Sequence, residues 1–437
     1  MSETKQNSVE LPELDILQRF DVPGPRYTSY PTADRFKKEF GPEDYKEVLK
    51  NRGTVSPDAA LSLYVHIPFC SNICYYCGCN KEITKDHSRS AQYIETLGKE
   101  CDLIKDSLTG IGTVEQLHFG GGSPTFLNNE EIVQVMETLT SRFPLEKDAE
   151  ISIEVDPRCC APEKVEVLAK AGFNRMSVGQ QDFDDRVQIA VNRVQPFEMT
   201  KATMDAARAN GFESINMDLI YGLPFQSEKS FAKTLDKVLE LSPDRIALYH
   251  YAHLPEHFKA QRRINAEDLP STPEKVAIML DAIRRLTSNG YHYIGMDHFA
   301  KVSDPLAQAQ ENGTLQRNFQ GYSTKPECDM VALGVSSISK VSGCYAANAR
   351  DLPTYYESIN NGQLATIRGY MLDADDRLRA QVIMNLMCQF MVQKEEIEQK
   401  FKVKFDEYFA FELKNLQHFA NEGLVELYPD RIVVTPK

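Results

Sequence analysis

From residue 61 onward the chain repeats a two-part pattern, a short β-prone apolar run followed by a longer stretch with helical spacing. The runs are LSLYVHI (61–67), EQLHF (115–119), EISIEVD (150–156), NRMSVG (174–179), SINMDLIY (214–221) and RIALYHY (245–251). Between them lie AQYIETLGKECDLIKDSL, EEIVQVMETLTSRF, PEKVEVLAKAG, FEMTKATMDAARANG and SFAKTLDKVLEL. Strand, helix, strand in repetition predicts an α/β fold of parallel strands joined by right-handed crossovers. Six units suit an open doubly wound sheet or an incomplete β/α barrel. No G-x-G-x-x-G follows the first run, which counts against the dinucleotide-binding version. A cysteine-rich loop stands there instead, and barrels keep their chemistry in loops at the carboxyl ends of strands. The expectation is a partial (β/α)6 barrel over residues 55–290.

The flanks read differently. At roughly 150 residues per domain, 437 residues predict two to four domains. Residues 1–54 form an N-terminal extension in which Pro23 to Thr32 is too rich in proline and glycine for a helix, and it is expected to wrap a surface. Helical spacing resumes at PEKVAIMLDAIRRLTSNG, and a polar, irregular stretch follows from 290 to 350. Residues 291–437 make a mainly helical C-terminal domain, with helices near 373–391, 394–400 and 405–421 and a closing hairpin, LVELY then RIVVT. Helices followed by a two-stranded wing are winged-helix-like, a module that often reads DNA. The net charge of −14 argues against a nucleic-acid platform, which needs a basic face to displace counterions. A packing or lid role is expected instead. No apolar stretch approaches the roughly 20 residues that span a bilayer, and the polar N-terminus lacks a signal-peptide core. The expected location is the cytoplasm, where free thiolates survive.

Cysteine placement is the strongest chemical signal. Of ten cysteines, Cys70, Cys74, Cys77 and Cys79 lie within ten residues directly after the first predicted strand. Three thiolates at the C-x3-C-x2-C spacing can hold three corners of a cubic iron–sulfur cluster and leave the fourth iron open. A closed cluster or a structural zinc site needs a fourth ligand. Cys79 could supply it, but a C-x-C step places adjacent side chains on opposite sides of an extended chain. A zinc knuckle or buried thiols are the bland alternatives. Cys101, Cys159, Cys160, Cys328, Cys344 and Cys388 are dispersed and read as packing residues.

The triad and the words around it resemble the radical S-adenosylmethionine (SAM) superfamily. Within it, YVHIPFC, CYYCGCN, GGGSPTF, ISIEVDPR, FNRMSVGQQDF, DLIYGLP, YAHLP, GMDHFA and NFQGYST resemble the oxygen-independent coproporphyrinogen III oxidase family, from about residue 18 to the last residue. The resemblance implies a 4Fe–4S cluster on Cys70, Cys74 and Cys77, with SAM at the open iron, and a second SAM beside the first. It assigns Tyr64, Gly121, Glu154 and Ile338 to the first SAM. It assigns Tyr76, Ser123, Gln181, Arg193, Asp218 and Ala252 to the second, with Gly122 between the two and counted with the second. Ser123 stands where threonine is more usual, and Tyr76 where phenylalanine occurs. Bottom-up, Gly120 to Gly122 allow close backbone approach to a ligand, and Glu154 at a strand end suits hydroxyls or an ammonium.

The implied reaction converts two propionates of coproporphyrinogen III to vinyl groups through a 5′-deoxyadenosyl radical, giving protoporphyrinogen IX in haem biosynthesis. An unidentified reductase or flavodoxin-type donor supplies electrons, and the chain is expected to be a monomer. Arg26, with Tyr27 and Tyr30 as donors, is the candidate for the substrate's carboxylates. Cys79, His298 and Gln320 are candidate site-lining residues, His298 pairing with Asp297 as a proton-handling pair. The alternatives are a haem-binding chaperone without turnover and a radical SAM enzyme that opens or methylates haem. The family pattern continues past the TPK word with a further helix, so the stop at Lys437 is read as a shortening that puts the lid and the activity in question.

Overall fold

The computed structural model describes residues 14–20, 29–110, 112–318, 321–325 and 328–437. All six predicted strands form: β1 (Leu61–Ile67), β2 (Val114–Gly121), β3 (Leu145–Val155), β4 (Arg175–Gln181), β5 (Ser214–Tyr221) and β6 (Arg245–His250). Five crossover helices join them in turn: α1 (Ser88–Ser107), α2 (Asn129–Thr140), α3 (Pro162–Lys170), α4 (Phe197–Ala209) and α5 (Glu228–Leu241). Helix starts are marked by caps. Asn128 accepts from the Glu131 amide while the Glu131 carboxylate accepts from the Asn128 amide, and Ser227 caps α5.

Each of β1 to β6 pairs parallel with the next, so their carboxyl ends share one edge. Side chains alternate between the two faces. Leu63, Val65, Leu117, Phe119, Ile153, Val178 and Met217 are buried. Tyr64, His118, Glu154, Ser177 and Asp218 occupy the intervening positions and are partly accessible.

The sheet continues beyond β1, and here the sequence expectation needs correction. The stretch 290–350 is not irregular: it holds β7 (Asp329–Leu333), β8 (Ile338–Val341) and β9 (Cys344–Asn348), followed by β10 (Thr366–Met371). β7 pairs parallel with β1, in register Leu61 to Asp329, and β8, β9 and β10 follow as antiparallel neighbours. Every residue of β7 and β9 is buried, so neither shows the alternation that marks a half-exposed strand.

This pairing also moves the domain boundaries. One compact unit comprises residues 35–270 with 327–371. The other comprises 1–34, 271–326 and 372–437. The divisions expected at 54 and 290 therefore differ from the contacts. Helix Pro42–Val55 belongs with the barrel strands because Arg52 pairs with Asp329 at 2.9 Å.

In the second unit Tyr291–Gly295 and His298–Lys301 form a hairpin. The expected 405–421 helix is two, Phe405–Tyr408 and Ala410–Asn421, parted at Phe409, which turns into the core with Leu378, Val392, Ile397, Phe405 and Ile432. The closing hairpin forms and gains a third strand, Met391–Gln393, beside Arg431–Val434.

Candidate active site

The cysteine loop leaves β1 and is pinned at both ends. Phe69–Cys70 pairs parallel with Glu82–Ile83, and the Glu82 amide donates to the Pro68 carbonyl at 2.7 Å. Between them the Tyr75 amide donates to Val191, Asn192 Nδ2 donates to the Ile73 carbonyl at 2.7 Å, and Lys81 Nζ donates to the carbonyls of Cys77 and Cys79. All ten cysteines are free thiols. Cys74 is buried, and Cys70 and Cys77 are half-buried.

Among the described residues no trio of His, Cys, Asp or Glu side chains is arranged around a single metal ion. A cubic cluster asks for something else, because each thiolate takes a different iron. Burial and the neighbouring thiols push the Cys70 thiol up to about 12. Cys77 is held down to about 6, chiefly by a hydrogen bond from Cys79 with help from Lys81, and the Cys79 thiol rises in return. That contact corrects the expectation that Cys77 and Cys79 point to opposite sides.

Beside the loop the glycines after β2 form a tight cradle. Gly121 has φ +118° and its amide donates to Glu154 Oε2 at 3.2 Å. A Cβ on Gly122 would lie 2.5 Å from the Pro68 carbonyl oxygen, and one on Gly120 would lie 3.0 Å from Glu154 Oε1. Glu154 stands 3.5 Å from His118 Nε2, and the His118 ring stacks on Tyr64 at 5.9 Å between centroids. The Tyr64 hydroxyl lies 3.2 Å from His66 Nδ1, and His66 Nε2 lies 3.1 Å from the Asn80 carbonyl, tying strand to loop.

Further along the edge a bulge between Gly179 and Gln181 coincides with φ +69° at Gln181. Such a bulge re-aims a side chain at the end of a strand. Asp218 accepts from Ser177 Oγ at 3.0 Å and from Asn216 Nδ2 at 2.8 Å. Burial, then the nearby Glu154 charge, pushes its carboxyl up to about 6. Arg193 is buried and donates to the Gly179 carbonyl at 2.6 Å and to Asp156 Oδ2 at 3.2 Å, yet its Nε has no partner among the described residues. An orphaned guanidinium donor in a buried polar site fits an incoming carboxylate. Gln261 Nε2 bridges the carbonyls of Tyr76 and Ala252. Gly334, in the turn leading to Ile338, packs against His66: a Cβ there would lie 2.8 Å from the His66 carbonyl.

The structure thus gathers Tyr64, the cysteine loop with Cys79, Gly121 to Ser123, Glu154, Gln181, Arg193, Asp218, Ala252 and Ile338 within one unit. Tyr30 and His298 belong to the other unit, where His298 packs edge-on to Tyr322 with 5.2 Å between ring centroids. Arg26, Tyr27 and Gln320 lie outside the described residues. The sequence reading passed over Asp156, Arg158, His66, His118, Ser177, Asn216 and Gln261. Polar residues alternating along β-prone runs were the available signal for His66, His118, Ser177 and Asn216.

Residues 64–238 match the family model of the radical SAM superfamily, and residues 372–437 match that of the HemN C-terminal domain. The chain is 49% identical over 425 residues to an oxygen-independent coproporphyrinogen III oxidase of Pseudomonas aeruginosa, covering 97% of this chain and 92% of the relative. It is 45% identical to the enzyme of that name from Escherichia coli, over the same shares. The solved structure of coproporphyrinogen III oxidase (HemN) from Escherichia coli, described as a radical SAM enzyme, matches with a TM-score of 0.93 at 44% identity, covering 97% of this chain and 95% of that one.

Proposed function

From the premise that this chain belongs to the oxygen-independent coproporphyrinogen III oxidase family of the radical SAM superfamily, we propose which of its residues carry the family's reaction. The reaction is the oxidative decarboxylation of two propionate side chains of coproporphyrinogen III, giving protoporphyrinogen IX in haem biosynthesis. Each –CH2–CH2–COO⁻ becomes –CH=CH2 with release of CO2, one proton and two electrons. The cofactors are a 4Fe–4S cluster and two molecules of SAM. When bound, they supply the one-electron chemistry that removes a hydrogen atom from a propionate β-carbon.

Cys70, Cys74 and Cys77 hold the cluster, and Cys79 is a neighbour and not a ligand. Tyr64, Gly121, Glu154 and Ile338 bind the first SAM. Glu154 accepts from hydroxyls or an ammonium, and the Gly120 to Gly122 cradle admits backbone contact that any side chain would block. Tyr76, Gly122, Ser123, Gln181, Arg193, Asp218 and Ala252 bind the second, with the free Arg193 Nε offered to its carboxylate. Arg26, Tyr27 and Tyr30 serve the substrate's carboxylates, which is the role of the segment before residue 55, while His298, paired with Asp297, and Gln320 line the site. The observation that carries this assignment is convergence: loop, cradle, Glu154, Gln181 and Asp218 stand at the carboxyl ends of successive parallel strands.

A one-electron donor of the flavodoxin or reductase type fits a reaction that takes electrons singly. Ten free thiols are in keeping with the cytoplasm, and among the described residues no helix is long and apolar enough to cross a membrane. We take the working unit to be a monomer.

The test is anaerobic turnover of the reconstituted full chain with SAM, a reductant and coproporphyrinogen III. The expected result is vinyl product by mass together with 5′-deoxyadenosine. Haem binding without either would favour a chaperone, and a ring-opened or methylated product the other alternative. Reconstitution with fewer than about three irons per chain would remove the cluster assignment. Loss of iron in Cys79→Ala would make Cys79 a ligand.

A further inference from the structure

One cysteine of the trio is set apart from the others by its surroundings. Arg158 lies in the 3-10 turn Pro157–Cys159 that follows β3. Its Nη2 donates to Asp156 Oδ2 at 2.7 Å and lies 3.5 Å from Cys74 Sγ, while its Nε donates to Asp156 Oδ1 at 3.0 Å. Arg193 approaches from the other side, with Nη1 at 3.2 Å from Asp156 Oδ2 and 3.6 Å from Cys74 Sγ. Two guanidiniums share one carboxylate, so one uncancelled positive charge stands beside the buried Cys74 sulfur. Beside Cys77 stands instead the Lys81 ammonium, which donates to the Cys77 and Cys79 carbonyls. Among the described residues, no guanidinium donates to Cys70.

We propose that Arg158 is a positioning and tuning residue for the cluster: held by Asp156, it donates an N–H···S hydrogen bond to Cys74 and raises the cluster's reduction potential. The inference rests on the assignment of Cys70, Cys74 and Cys77 as cluster ligands. Hydrogen bonds to ligand sulfurs are a recognised lever on cluster potential, because a positive donor favours the state with the extra electron. Arg193 is less suited to this task, since its free Nε offers it to an anionic ligand. Arg158 has no such second duty. Both of its Asp156 contacts lie within one turn of chain, and the fork geometry of arginine lets one end hold the carboxylate while Nη2 reaches the sulfur. Lysine, a point charge on a flexible stem, serves one of these or the other.

The bland alternative is a surface-side ion pair that only stiffens the turn after β3. A redox titration followed by electron paramagnetic resonance separates the two, run on the reconstituted full chain without SAM or substrate. Arg158→Gln is expected to retain its iron and to be reduced at a lower potential. At the wild-type midpoint its ratio of reduced to oxidised cluster falls several-fold. Arg158→Lys is expected to fall between the two. A full-iron Arg158→Gln protein with the wild-type midpoint overturns the proposal. Should that variant load no iron, a wild-type midpoint in Arg158→Lys overturns it equally. A wild-type chain that forms no cluster is a different failure, that of the ligand assignment.

Discussion

Two buried arginines, one at each edge of the parallel sheet, are satisfied in opposite ways. At the amino ends, Arg52 is fully buried and all three of its guanidinium nitrogens have partners: Asp329, Gly110 and the carbonyls of Ala59 and Ala60. Asp329 is itself satisfied further by the Ser342 amide at 2.7 Å. At the carboxyl ends, Arg193 keeps an unpartnered Nε, Gln181 sits in the left-handed region and the Asp218 carboxyl is pushed up to about 6. A fully paired buried ion fixes geometry, whereas incompletely paired groups and strained backbone store free energy that a ligand can release. Arg52 is finished by the chain, whereas Arg193 keeps a donor for what binds.

That contrast is tested most sharply at Cys74. Cys74→Ala removes one of three cluster ligands and is expected to abolish iron retention after anaerobic reconstitution, with the far-ultraviolet circular dichroism unchanged. A fold that collapses with it would show that the carboxyl edge is structural as well. Next in size is Gly122→Ala. The added methyl would lie 2.5 Å from the Pro68 carbonyl oxygen and 3.0 Å from that of Phe69, so the entry to the cysteine loop has to move. Overpacking of this kind costs about 1–3 kcal/mol. SAM binding by equilibrium dialysis should weaken by about fivefold or more, since 1.4 kcal/mol is a factor of ten in a binding constant. Unchanged binding would mean that the cradle is only a tight turn.

How much of this edge could be read beforehand depended on whether a residue repeats with a period or stands alone. β1 to β6 announced themselves because each is an apolar run bounded by helical segments. β7 was missed because its parallel partner β1 lies far away in sequence, and a strand buried on both faces has no period of two to detect. The cysteines were legible from spacing alone. Ala252 and Ile338 were not: a backbone contact and an aliphatic side chain leave no chemical mark, and only the family resemblance supplied them. Asp156 and Arg158 fall between these cases. They stand inside the quoted word ISIEVDPR, yet nothing in the word says that the arginine folds back toward Cys74, because that contact depends on a loop 84 residues earlier in the chain.

The amino edge predicts the reverse balance of effects. Arg52→Leu leaves Asp329 buried without its cation, and breaking a buried pair from one side costs about 3–5 kcal/mol. The urea midpoint of the barrel transition should fall accordingly, while iron per folded chain and SAM affinity stay at wild-type values. A variant equally stable but poor in iron would erase the distinction between the edges.

The smallest expected effect is the most diagnostic. Asp218 has a folded-state carboxyl raised from 3.8 to about 6 by burial and by Glu154. Below about pH 4 the group is protonated whether the chain is folded or not, and it contributes no pH dependence. As pH rises from about 4 to about 6 the unfolded chain gives up its proton while the folded chain keeps it, so stability falls; above that range the loss is constant. Asp218→Asn lacks this slope and can still hydrogen-bond Ser177 and Asn216. Its stability relative to wild type should therefore improve between pH 4 and pH 7, by roughly 2 kcal/mol, with any change in hydrogen bonding shifting the whole curve and not its slope. The same substitution should weaken the second SAM, which a pH-resolved urea series paired with dialysis would read separately. A gain in stability with a loss of binding is the exchange expected of an edge held ready for ligand. A loss of both would place Asp218 with Arg52, among the groups the chain completes for itself.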